Sequence, residues 1–350
     1  MGARAPAAAA AIAALAACTL WIGLSAGVIL FNRVILNELA LPFPLTLTSV
    51  HMAVCGSLAA VLVRGGWVAP AAGMDAPTYA ATLAPVGALF AAVLYLGNAA
   101  YLHLSVAFIQ MLKALMPAAV YGVACAARLD AISVRAAADM AAIVAGVALA
   151  AAGELTFVPL GVTLQLASVA AESVRLVLLQ KALQGTGLRL NPVTTMYYVA
   201  PAALVCLSIP WLVLEAGPLR AALAAGTVRV TPAVLAANAL AAAALNLAAF
   251  ALIGRTSALT MNVAGVVKDW GLIWASASLF GAPVTRLNLA GYGVALAGVA
   301  SYNVRKYNAL QEAAAAAEAG DKERGGGELK ALRAPPLSDD GGDRIKAGRP

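Results

Sequence analysis

Charge is scarce in this chain. Asp, Glu, Lys and Arg make up 11% of its 350 residues while hydrophobic residues make up 62%, and the mean hydropathy is +0.86. That balance excludes a water-soluble globular domain of this length and leaves a polytopic membrane protein. Cysteine is sparse too. Cys18, Cys55, Cys125 and Cys206 fall in separate apolar stretches without paired spacing, which excludes a disulfide framework or a zinc site. Of the 2 histidines, His51 shares a helix face with Cys55, but two ligands do not make a metal site, and His103 sits at the end of a span. A glycine-rich phosphate loop, a Ser-His-Asp set and an acidic metal cluster are all missing, so neither an enzyme nor a cofactor is expected. Short alternating segments, the mark of a membrane barrel, are missing as well.

What is present is a succession of apolar runs of about 20 residues, each long enough to cross the bilayer as a helix. Ten such runs cover residues 7–31, 42–63, 79–102, 105–127, 135–153, 159–182, 193–215, 232–254, 257–280 and 287–303. Many are alanine-rich, which favours close helix packing over strong insertion. Proline falls at expected helix starts in "LPFP" (41–44), "NP" (191–192), "TP" (231–232) and "APV" (282–284), where its missing N–H costs nothing.

Basic residues set the orientation. With ten spans, Arg4, Arg64, Arg128, Arg135, Lys181, Arg189, Arg255, Arg305 and Lys306 share one side, against Arg33, Arg220, Arg229 and Arg286 on the other. Nine against four places both termini in the cytoplasm. The formal net charge of +7 is this flanking bias, and no nucleic-acid partner is implied. Residues 1–6 read as a short cytoplasmic N-terminus. Residues 304–350, polar and glycine-rich, read as a disordered cytoplasmic tail that carries no retrieval signal or lipidation box. A span beginning by residue 7 leaves no room for an organelle import extension, so a plastid location is disfavoured and span 1 reads as an uncleaved signal anchor.

Ionisable groups inside the spans are few: Lys113, Asp139, Glu172, Arg175, Lys268 and Asp269. Each costs at least about 2.5–3.5 kcal/mol at mid-membrane and so needs a reason. Asp139 lies one turn from a span end, four residues from Arg135, and fits a helix-end ion pair. Gln165, Ser168, Glu172 and Arg175 draw one polar stripe down span 6, which must face protein or water. Glu172 and Arg175 are three apart, and either a structural pair or a substrate contact fits them.

The two lysines look like one position used twice. "LSVAFIQMLKAL" (104–115) and "LTMNVAGVVKDW" (259–270) both open on leucine and a hydroxyl residue, and both reach lysine eight residues after the hydroxyl. Span 4 then matches span 9, giving halves 7–153 and 159–303 of five spans each, and an odd number makes the second half inverted. Both lysines reach mid-depth from opposite sides, where a pair of cations reads as an anion site whose guest carries phosphate. Lys268 and Asp269 point about 100° apart on a helix. With Lys268 toward the cavity, Asp269 shares a face with Gly265 and Asn262, bordering the organic part of the substrate or holding a cation such as Arg175. Gln110, one turn before Lys113, joins the candidates.

The stretches "FPLTLTSVHM", "NAAYLHLSVAFIQMLKALMP", "LNPVTTMYYVAP" and "RTSALTMNVAGVVKDW" together resemble the plant-type sugar-phosphate/phosphate translocator and nucleotide-sugar transporter family of the drug/metabolite superfamily, in its Lys-Asp branch. The resemblance covers about residues 10–305. It implies a ten-helix inverted-repeat fold and exchange of one phosphorylated solute for another. In chloroplast members the span 4 lysine and a Lys-Arg pair in span 9 bind phosphate. The matching residues here are Lys113, Lys268 and Asp269, so a carboxylate replaces the arginine. Arg175 matches the family arginine of span 6. Phe250 stands where those members have tyrosine, and Leu94 and Gly97 stand where they have histidine and threonine.

These departures direct the expectation to a Golgi or other endomembrane carrier of a nucleotide sugar, such as UDP-arabinofuranose, exchanged for a nucleoside monophosphate, with Tyr197 and Tyr198 stacking on the base. The alternative is sugar phosphate against inorganic phosphate. Further alternatives are a proton-coupled exporter titrating Asp269 or Glu172 and a receptor or scaffold without a charged cavity. The expected mechanism is alternating access governed by charge, in which an empty site is too costly to occlude.

Overall fold

In the computed structural model, residues 4–186, 188, 190–253 and 258–332 are described. Every regular element among them is a helix: α1 (Arg4–Arg33), α2 (Pro44–Arg64), α3 (Ala76–Ala100), α4 (Val106–Lys113), α5 (Met116–Ala126), α6 (Val134–Ala152), α7 (Pro159–Thr186), α8 (Pro192–Pro210), α9 (Ala216–Ala224), α10 (Pro232–Ile253), α11 (Ala258–Phe280) and α12 (Arg286–Leu332). Wider π turns follow α1 at Val34–Glu38 and α8 at Trp211–Glu215. Eight segments among the described residues are long and apolar enough to span a bilayer, from Ala13–Glu38 through Pro232–Ala249. The expected ninth and tenth spans coincide with α11 and the first part of α12. As the sequence anticipates, α2, α8 and α10 open on Pro44, Pro192 and Pro232.

Two expectations are corrected. Span 4 is not one continuous helix. α4 ends at Lys113 and α5 begins at Met116, with the amides of Ala114 and Leu115 bonding three residues back rather than four. The cause is Pro117, which lacks an N–H and crowds the carbonyl four residues earlier, that of Lys113. The expected disorder from 304 is also replaced in part, since α12 stays helical to Leu332. Its "EAAAAAEAG" stretch is built of strong helix formers. Residues 333–350 lie outside those described. By contacts the chain divides into one unit of residues 1–302 and a second of 303–350.

Within the first unit α2 and α3 pack on α8, α3 on α7, α1 and α2 on α10, and α1 and α4 on α11. Lipid tails offer no hydrophobic reward for joining helices, so close approach must supply the adhesion. Small residues permit it. A Cβ at Gly146 of α6 would lie 2.7 Å from the Gly291 carbonyl oxygen of α12, and one at Gly291 would lie 2.6 Å from the Gly146 carbonyl oxygen. Gly87 of α3 likewise admits α8, where an added Cβ would lie 2.6 Å from that of Ala202.

Polar groups add adhesion of a second kind. Asn238 Nδ2 donates to Asn32 Oδ1 at 3.0 Å, Asn32 Nδ2 to Asn98 Oδ1 at 3.3 Å, and Asn98 Nδ2 to the Thr48 hydroxyl at 3.0 Å, while His51 Nε2 also pairs with Asn238 Oδ1. Four helices, α1, α2, α3 and α10, meet in this buried network.

The two proline-opened helices that face each other are capped differently. Asn191 caps α8 from within, accepting from Val193 N and Thr194 N at 2.9 Å each. Phe43 offers no such group to α2. Instead Glu215, from the far half of the chain and only 7% exposed, accepts from Leu45 N at 2.8 Å, Thr46 N at 2.7 Å and the Thr46 hydroxyl at 2.8 Å. Trp211 Nε1 donates to that same hydroxyl at 2.9 Å. A carboxylate at a helix N-terminus gains from both the orphan amides and the helix dipole. Glu215→Ala strands these donors and is expected to cost roughly 3 kcal/mol, lowering the melting temperature in detergent by about 5–10 °C. Glu215→Gln, which keeps one acceptor, should lose less, and an unchanged melting curve for the alanine variant would show that the cap contributes nothing.

Candidate functional site

A cavity of ≈ 460 Å³ lies among α1, α2, α3, α7, α8, α10 and the break between α4 and α5. Its volume is within the range of small-molecule sites. Lys113 lines it. The helix break puts that side chain at the C-terminal end of α4, where the partial negative charge of the last carbonyls favours a cation.

Lys113 belongs to none of the ion pairs Arg33–Glu38, Glu172–Arg175 and Lys268–Asp269. Arg175 makes a two-point bond to Glu172, Nε to Oε2 and Nη2 to Oε1 both at 2.6 Å, and its guanidinium lies 5.0 Å from the centre of the Phe90 ring. Lys268 Nζ meets Asp269 Oδ1 at 2.7 Å. Asp269 and Glu172 are both within electrostatic reach of Lys113. Counting Lys113, Lys268 and Arg175 against Asp269 and Glu172, the cluster carries a net charge of +1.

Gln165, Ser168 and Glu172 of the polar stripe on α7 line the cavity, while Arg175 turns aside to Glu172 and Phe90. Ser168 donates to the Val93 carbonyl at 3.0 Å. The side-chain amides of Gln110 and Gln165, each 1% exposed, find no partner for nitrogen or oxygen. The hydroxyl of Tyr101, 4% exposed, is also unpartnered and comes close to the Gln110 amide without hydrogen-bond geometry. Unpaired polar groups this deep cost about 1–3 kcal/mol each. Gln165 and Tyr101 line the cavity, and Gln110 does not.

Several placements differ from expectation. Lys268 is engaged with Asp269 rather than standing beside Lys113 on the cavity wall, and its residue is not among the lining. Asp269 holds Lys268, not Arg175, because the neighbouring amine reaches it at no cost in helix geometry. Tyr198 does not line the cavity. Its ring meets Tyr197 edge-on at 4.9 Å and Tyr79 at 6.3 Å. The side chains of Asn262 and Phe250 lie outside the described residues. Leu94 and Gly97, the departures from the chloroplast pattern, do line the cavity. The uncharged Asn32, Asn98 and Asn246 line it too, and their signal in the sequence is an amide inside an apolar run, which attention to ionisable groups alone passes over. His51, another lining residue, is held by Asn238, and no cluster of metal-binding residues occurs among the described residues.

Comparison with known proteins follows the same lines. A probable sugar phosphate/phosphate translocator of Arabidopsis thaliana is 46% identical over 311 residues, 88% of each chain. A second from the same plant is 47% identical over 294 residues, 83% of each chain. A UDP-galactose transporter of Arabidopsis thaliana is 27% identical, over 83% of this chain and 87% of its own. A crystal structure 16% identical in sequence superposes with a TM-score of 0.50 over 84% of this chain and 98% of the other, a likeness of fold alone. The model of the Triose-phosphate Transporter family matches residues 12–303, and the chain belongs to that family.

Proposed function

We propose that the protein is an antiporter that exchanges a sugar phosphate for inorganic phosphate by alternating access. The observation that carries this reading is Lys113, a cation without an ion pair on the wall of a cavity whose other charges cancel. An uncompensated amine in a site of low dielectric is costly until an anion neutralises it. Occlusion of the empty carrier is therefore disfavoured, and obligatory exchange follows. Phosphate would bind Lys113 and draw Lys268 from its pair with Asp269, so that two amines share the dianion. The freed Asp269, with Gln110, Gln165 and Asn262, would then face the sugar hydroxyls. Arg175, already two-point bonded to Glu172, would set the position of that carboxylate.

Sugar phosphate is preferred to nucleotide sugar on two grounds. The relatives at 46% and 47% identity are named as probable sugar phosphate/phosphate translocators, and the UDP-galactose transporter stands at 27%. The rings of Tyr197 and Tyr198 are also occupied with one another, and Phe90 lies under Arg175, which leaves few aromatic faces for a base. A nucleotide sugar exchanged for a nucleoside monophosphate is the second reading, supported by that more distant relative.

The scaffold is proposed as ten spans in two inverted halves, with both termini cytoplasmic in a Golgi or other endomembrane. Paired contacts support the inversion: α3 packs on α7 as α10 packs on α1, and α3 on α8 as α10 on α2.

Proteoliposomes preloaded with phosphate, UMP, GMP or CMP and offered sugar phosphates and nucleotide sugars test this reading. Phosphate-loaded vesicles should take up sugar phosphate, and Lys113→Gln should reduce exchange at least 100-fold, about 2.7 kcal/mol. Uptake that follows a pH gradient without a counter-substrate would instead make the protein a proton-coupled exporter. The sugar-facing amide gives a separate expectation. Gln165→Leu should raise KM for sugar phosphate roughly 10-fold, the loss of one or two hydrogen bonds, and leave KM for inorganic phosphate unchanged. Equal effects on both solutes would remove Gln165 from sugar recognition.

A further inference from the structure

A second cavity, of ≈ 250 Å³, lies where α1 ends, α4 begins and α11 ends. Its polar lining is Arg33, His103, Ser105, Thr156 and Ser276. Among the described residues it shares one lining residue with the central cavity, Tyr101.

Arg33 gives this chamber its sign. Its Nη1 is buried without a hydrogen-bond partner, and the nearest carboxylate oxygen, of Glu38, is 3.9 Å away on a side chain that is 58% exposed. The guanidinium lies 5.7 Å from the centre of the Phe280 ring, which keeps it over the chamber. A buried guanidinium N–H without an acceptor is expensive, and a turn of the side chain toward the chamber would let an anion satisfy it.

Two hydroxyls stand ready beside it. Ser105 accepts from Phe108 N at 3.1 Å and Ser276 accepts from Ala107 N at 3.2 Å. Each oxygen serves as acceptor to a helix amide, so each hydroxyl proton remains to be donated. Among the described residues no carboxylate lines the chamber; Glu38 lies 3.9 Å from Arg33, and Glu154 accepts from the Thr156 hydroxyl at 2.7 Å. These temper the affinity, as suits a place of passage.

We propose that this chamber is a second, weaker phosphate-binding site, through which the phosphorylated solute loads and leaves at the end of the bundle where α1 and α11 end. Tyr101 is its inner door. This inference rests on the reading that the protein carries phosphorylated solutes, and it adds a site remote from Lys113. Diffusing phosphate is first captured at Arg33, raising its local concentration. Movement of the Tyr101 ring then joins the chambers, past the unpartnered amide of Gln110.

Calorimetric titration of the full-length protein in detergent with inorganic phosphate tests the proposal. The wild type should show two classes of site. Arg33→Gln should lose the weaker class and keep the tighter, and Lys113→Gln should do the reverse. In vesicles sorted by protease access to the C-terminal tail, Arg33→Gln should raise KM roughly 10-fold for phosphate offered at the chamber face, with kcat unchanged and salt dependence reduced. Should Arg33→Gln fold poorly, Tyr101→Ala serves in its place, since loss of the shared ring should merge the two classes into one. Two undiminished classes in either variant would overturn the chamber. If Arg33→Gln removes the weaker class while Lys113→Gln leaves the tighter one intact, the chamber stands and the central-site reading fails.

Discussion

An amine with no carboxylate of its own, on the wall of an interior cavity, is the constraint around which the proposed site is arranged. Lys113 faces the cavity, and the two nearby carboxylates are each bound to another cation. Moving Glu172 or Asp269 to relieve it would strand Arg175 or Lys268, so no internal rearrangement brings the cluster to neutrality. Relief has to come from outside the chain. The broken helix, the polar stripe on α7 and the amide network around Asn32 all border the cavity in which the proposed guest would supply it.

The charges were legible because a cation inside an apolar run is conspicuous at any resolution of reading. Lys113 and the stripe of Gln165, Ser168 and Glu172, which stand out in the sequence as polar groups within apolar runs, line the cavity. The spans were legible for the same reason, since eight of the expected stretches recur as helices of spanning length among the described residues. What escaped was polar but uncharged, or charged but at an edge. Asn32, Asn98 and Asn238 join three helices, yet an asparagine in an apolar run carries no sign of its partner. Glu215 sits at the last position of its span, where a carboxylate ordinarily meets water. Its burial depends on Leu45 and Thr46, some 170 positions earlier, and no local pattern encodes such a distance.

The break after Lys113 had a visible signal that hydropathy hides. Pro117 leaves the apolar count of span 4 untouched while freeing a carbonyl at the lysine. Pairing was the other limit. Spacing placed Lys268 and Asp269 about 100° apart, and this was read as keeping them from a common target. Their side chains are long enough to meet each other instead, at 2.7 Å. Tyr198 shows the same limit, because a tyrosine pair looks the same in sequence whether its rings await a ligand or meet their own neighbours edge-on.

The unequal capping of α2 and α8 has a bearing on motion. At one end of the bundle the amino terminus of a helix is fastened by a residue from the opposite half; at the other end the corresponding terminus is self-sufficient through Asn191. Spreading the halves at the first end tears a carboxylate from its amides, whereas spreading them at the second breaks nothing of that kind. Were the halves to rock as proposed, the clasped end would open at a cost that the other end does not carry, and the two postures would not rest at equal height.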